Sequence, residues 1–91
     1  MNPFRGYVTN MKPYEFVKKL MHNIGNDMFA LNDDAELQIP KGILTAKITQ
    51  ENVEFYLNGI KIDNKTMIRV KFNNRWYFIN PPPKNIAMRH F

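Results

Sequence analysis

Six residues in the second half of the chain carry the side-chain chemistry of a binding face: Tyr56, Lys61, Arg69, Lys71, Trp76 and Phe78. Rings interleaved with cations suit a single-stranded nucleic acid. Bases stack on aromatic faces for about 1–3 kcal/mol each, while ammonium and guanidinium groups neutralise the phosphates. The same face is equally a candidate surface for a protein partner. A second set of anchors lies in the terminal segments, at Phe4, Tyr7, Ile86, Met88 and Phe91. A 91-residue chain closes only a small core, so these apolar side chains are candidate docking arms for the domain, another copy or a partner.

Other reactive residue types are present but not arranged for catalysis. His22 and His90 are the only histidines and lie far apart in the sequence. There is no cysteine, which excludes disulfides and thiolate metal sites. Asn32, Asp33, Asp34 and Glu36 lack the alternating ligands and central glycine of a calcium loop, and read as a solvated acidic turn. No glycine-rich loop is positioned to cradle phosphate, and no Ser or Thr is matched to a base. No cofactor, metal or small-molecule substrate is implied, and the chain reads as non-enzymatic.

These residues must be positioned by local structure. Tyr56 and Lys61 flank Asn58-Gly59, a dipeptide that tolerates the positive φ angles of a type I′ turn, so VEFYL-NG-IKID (53–63) reads as a hairpin. A two-residue loop sets Leu57 opposite Ile60 and Tyr56 opposite Lys61. Val53, Phe55, Leu57, Ile60 and Ile62 then share an apolar face, with Phe55 and Ile62 turned toward a helix. MIRVKF (67–72) and RWYFIN (75–80) alternate in the same way around Asn73-Asn74. A two-residue turn there pairs Lys71 with Trp76 and Arg69 with Phe78, and sends all four outward. A three-residue loop through Arg75 would slip the strand by one and send Trp76 and Phe78 into the core. The two-residue turn is favoured, because Asn accepts positive φ more readily than Arg.

The remaining elements follow from periodicity. Pro13 suits a first helical turn, and Phe16, Val17, Leu20, Met21 and Ile24 form one apolar stripe, predicting a helix over 13–24 that Gly25 stops. His22 falls on its polar side. Residues 1–12 read as an arm, 26–42 as a connector with a short helix, and 43–49 as a strand. The three prolines at 81–83 open a basic tail over 81–91. The expected architecture is α+β: an N-terminal helix packed on a four- to five-stranded antiparallel β-meander spanning 43–80, in a single domain over 1–91.

Charge adds a bias about partners. The chain carries a net charge of +5, and residues 57–91 hold seven Lys or Arg against Asp63 alone. Residues 25–56 hold six acids against Lys41 and Lys47. Such asymmetry favours a polyanion or an acidic protein surface, or else a basic face that only keeps the domain soluble. No apolar run reaches the ~20 residues of a membrane span, so a cytoplasmic location is expected and no membrane partner. The abundance of Asn, Lys and Ile fits AT-rich codons, as in a phage or mobile element.

The last four residues, Met88-Arg89-His90-Phe91, resemble the C-terminal Arg/His/aromatic ends of small basic ribosome-dependent RNases of toxin–antitoxin systems. That resemblance spans four residues without the strand such a site requires. The expectation is a non-enzymatic interaction protein that binds a host factor, self-associates or joins a larger assembly. The alternative is a single-stranded nucleic-acid-binding module.

Overall fold

The computed structural model describes residues 8–50 and 52–81. Within them one helix, α1 (Pro13–Leu20), is accompanied by nine strands in two sheets. The strands are β1 (Val8–Asn10), β2 (Met21–Gly25), β3 (Met28–Leu31), β4 (Ala35–Ile39), β5 (Leu44–Thr49), β6 (Asn52–Leu57), β7 (Ile60–Lys61), β8 (Ile68–Phe72) and β9 (Arg75–Ile79). One sheet has the order β2-β3-β5-β6-β7 and is antiparallel throughout. The other has the order β1-β9-β8-β4, with β1 parallel to β9 and the remaining pairs antiparallel. The α+β class, with a helix near the N-terminus and antiparallel strands behind it, is as the sequence indicates.

Both sheets turn one face to a common core. Leu44, Ala46 and Phe55 come from the first sheet, Ile68, Val70, Tyr77 and Ile79 from the second, and Phe16, Val17 and Leu20 from α1. Alternate residues of a strand point to opposite faces, so this parity fixes which residues point outward. Phe16, fully buried, meets Phe55 edge-on at 5.7 Å between ring centroids. Burying a phenylalanine of this kind contributes about 1.5–3 kcal/mol, and the edge-to-face contact about 0.5–1.5 kcal/mol beyond that. The helix begins with Pro13, and the Glu15 carboxylate accepts a hydrogen bond from the Lys12 backbone N–H at 3.4 Å.

Both asparagine-containing turns have two residues at positive φ, with Asn58 at 52° and Gly59 at 82°, and Asn73 at 58° and Asn74 at 63°. Two central residues with positive φ define the turn whose twist matches antiparallel strands. The registers follow: Tyr56 opposite Lys61, Lys71 opposite Trp76, Arg69 opposite Phe78.

Several boundaries differ from the expectations. The helix over 13–24 ends at Leu20, and Met21–Gly25 is a strand instead. Pairing of Met21 with Leu31 and of His22 with Ala30 overrides the helical spacing, and Ile24 is left exposed. Residues 26–42 are not a connector with a helix. They supply β3 and β4, separated by the exposed Asp33-Asp34 turn. The meander over 43–80 is divided, because β5, β6 and β7 belong to one sheet and β8 and β9 to the other. Ile60 does not join the apolar face; it lies on the two-residue edge strand β7 and is exposed. Phe55 is buried against α1, and Ile62 packs partly buried against the same core.

Candidate functional site

The six candidate residues divide into two groups. Arg69 and Lys71 stand on β8, directly across from Phe78 and Trp76 on β9. Val70 and Tyr77, their neighbours in sequence, are buried in the core, so these four side chains lie on the opposite, outward side. The Arg69 guanidinium carbon lies 4.9 Å from the Trp76 ring centroid, and the Lys71 ammonium lies 5.8 Å from it. A cation within about 6 Å of an indole is attracted by the ring quadrupole, by roughly 0.5–2 kcal/mol depending on desolvation. The tryptophan therefore holds two positive charges side by side.

Arg69 carries a further feature. Its Nε is buried and has no hydrogen-bond partner among the described residues. The only ion pair among those residues joins Lys61 to Glu54, so neither Arg69 nor Lys71 has a carboxylate partner there. Glu36 sits across from Lys71 on β4, but its carboxylate accepts a hydrogen bond from Gln38 Nε2 at 2.9 Å instead.

Phe78 corrects the expectation of a fully wet face, since it is 8% exposed. β9 is an interior strand, so same-face neighbours flank the Phe78 ring on both sides, Asn10 on β1 and Arg69 on β8. β1 runs parallel along one side of it, with Asn10 beside Phe78, and Met11 N–H donates to the Phe78 carbonyl at 2.8 Å. β8 flanks the other side. Phe78 consequently offers no open ring for stacking, and Trp76 is half-buried.

Tyr56 and Lys61 form the second group, on the other sheet, and no strand pairing brings them beside Arg69 or Trp76. They converge on Glu54. Lys61 Nζ lies 2.9 Å from Glu54 Oε2, and Tyr56 Oη donates to Glu54 Oε1 at 3.3 Å. The hydrogen bond and charge of Lys61 hold the Glu54 carboxyl below its ordinary value, and Glu54 raises the Lys61 ammonium in return. Glu54 was missed by the sequence reasoning, although it stands two residues before Tyr56 and strand alternation puts both on one face.

The docking-arm candidates Phe4, Tyr7, Ile86, Met88 and Phe91 lie outside the described residues, as do the terminal Met88-Arg89-His90-Phe91 and His90. His22 is on β2 rather than on a helix, and its Nδ1 is 2.8 Å from Asn32 Oδ1. Among the described residues no three His, Asp or Glu side chains are grouped to hold a metal ion. No helix among them is long and apolar enough to cross a membrane. In comparisons with known proteins, the chain matches no family model, no curated protein and no solved structure.

Proposed function

We propose that this chain is a non-enzymatic interaction protein, of phage or mobile-element type, that docks on an acidic surface of a protein partner through the outward face of β8 and β9. The observation that carries this reading is the Arg69–Trp76–Lys71 cluster, in which two cations rest on one indole without a carboxylate partner among the described residues. Trp and Arg dominate interface hot spots because they combine a large contact area with directed hydrogen bonds. Arg in particular presents a planar fork that matches a carboxylate on two sides. Pinned on the ring, it loses less side-chain entropy on binding than a free arginine would.

Two further observations favour a protein surface over a single nucleic-acid strand. A strand needs successive open rings, whereas Phe78 is buried and Tyr56 lies on the other sheet. Lys61, the cation nearest Tyr56, is already engaged by Glu54. Self-association through this face is disfavoured, because it would oppose two copies of the same positive charges.

Trp76 is the only tryptophan, so its emission reports directly on the site. The test is a fluorescence titration with a glutamate-rich peptide and, separately, a single-stranded DNA oligonucleotide, at two salt concentrations with light scattering in parallel. The expected result is a saturable change with the acidic peptide that disappears in the Arg69→Ser/Lys71→Ser double variant. Tighter binding of the oligonucleotide at both salts, with strong quenching, would overturn the assignment in favour of nucleic acid.

A further inference from the structure

A second concave feature lies away from that face and shares no residue with it. A cleft of about 420 Å³ opens between the two sheets, where β6 and the 62–66 segment approach the start of β8 and the end of β9. Its volume falls in the ~300–1,000 Å³ range of small-ligand sites. The apolar part of its lining is Val53, Phe55, Ile62, Ile68 and Ile79, of which Ile68 and Ile79 pair across strands.

The polar lining is unevenly spent. Asn80 Nδ2 donates to the Asn64 carbonyl at 2.6 Å and to the Thr66 carbonyl at 3.0 Å, which uses both amide hydrogens and leaves Oδ1 as an acceptor. Those two bonds hold the 64–66 wall in place. Asp63 Oδ1 accepts from the Lys65 backbone N–H at 2.7 Å, leaving Oδ2 open. Lys61, the one cation in the lining, is taken by Glu54. The Lys61 and Asn80 donors are thus consumed internally, and Asp63 Oδ2 and Asn80 Oδ1 remain as acceptors beside the side chains of Asn52, Asn64 and Thr66. The charged lining is Glu54 and Asp63 against Lys61, a negative balance on a chain whose total is +5.

We infer that this cleft binds an amphiphilic cation: an apolar body the size of one side chain, seated on the partly exposed Val53 and Ile62 above the buried Phe55 and Ile68, carrying an ammonium or guanidinium that donates to Asp63 and Asn80. Such a group comes either from a free small amine or from a Lys or Arg beside an apolar residue in a partner polypeptide. A carboxylate accepting from an ammonium forms a charge-assisted hydrogen bond, stronger than a neutral one, and contact with the apolar lining adds to it.

The test uses the full chain and amide chemical shifts. Phenethylammonium, phenylacetate and the blocked dipeptide acetyl-Phe-Arg-amide are titrated separately. Phenethylammonium is expected to move the amides of Ile62, Asp63, Ile68 and Asn80 saturably, with affinity at least about ten-fold above phenylacetate, which has the same ring and the opposite charge. Asp63→Asn keeps the acceptor for the Lys65 N–H, and should weaken the amine several-fold while leaving phenylacetate unchanged. Dipeptide binding at least about ten-fold tighter than phenethylammonium assigns the site to a partner segment, and the reverse order assigns it to a free amine. Absence of saturable shifts at these residues with both cationic probes, or equal binding of phenylacetate, overturns the inference, and that comparison holds on the unaltered chain whether or not the variant folds.

Discussion

Replacing Arg69 with methionine separates a residue kept for binding from one kept for folding. Met has a similar length and no hydrogen-bonding head, so it can retain the packing of the arginine stem along β8 while removing both the charge and the buried Nε–H. Two contributions of opposite sign follow from the geometry. Losing the contact at 4.9 Å from the Trp76 centroid removes about 0.5–2 kcal/mol. Removing a buried N–H that has no acceptor among the described residues returns about 1–3 kcal/mol. Near-cancellation is expected, with a net change within about 1 kcal/mol of zero, on a total stability of about 5–14 kcal/mol for a domain of this length. Urea denaturation measures it as a shift in midpoint at unchanged slope. Val70→Ala provides the internal standard, since its side chain is fully buried on the same strand and its truncation should cost clearly more. If Arg69→Met instead destabilises by more than about 2 kcal/mol, the guanidinium is a structural member of the fold. It is then not a side chain held ready for a partner.

Gly59→Val should destabilise by about 1 kcal/mol or more through backbone strain alone, because Gly59 sits at φ 82° and an added Cβ meets nothing within 4 Å. A melting curve identical to that of the parent chain would count against the type I′ turn. The Glu54 carboxyl should titrate below its ordinary range by carbon-detected NMR and return toward it in Lys61→Met, since Lys61 is the main cause of the shift. Because the folded value is depressed, the pair's contribution to stability is present above the unfolded carboxylate value and fades as pH falls through the folded one.

Local signals were legible, and pairings between distant segments were not. Pro13 with Phe16, Val17 and Leu20 marked the helix, and Asn58-Gly59 and Asn73-Asn74 marked two hairpins whose registers follow from loop length. The helix end was hidden because Met21 continues the apolar stripe and is buried either way, here as the first residue of β2. In β4 the alternation Ala35, Leu37, Ile39 against Glu36 and Gln38 was present over only five residues, beside an acidic turn that suggested a helical start. Nothing local announced β1, whose three residues Val8–Asn10 become a strand only by pairing with β9, some seventy positions away. That one parallel pairing makes β9 interior and sets Asn10 beside Phe78.

The charge asymmetry along the chain also changes meaning in three dimensions. Counted linearly, residues 57–91 look almost uniformly basic, and Lys61 belongs with Arg69 and Lys71. In the fold Lys61 faces Glu54 from the acidic half, and the pair is close to neutral from a distance. Exposed charges more than about 8 Å apart are largely screened at physiological ionic strength, so a cation on another sheet adds little to the field at Trp76. The outward face of β8 and β9 carries a local doublet, Arg69 and Lys71, both set over one ring. Under the function proposed above, a doublet of that size would suit a matching pair of carboxylates better than a long polyanion, which would need more cations in line to profit from counterion release.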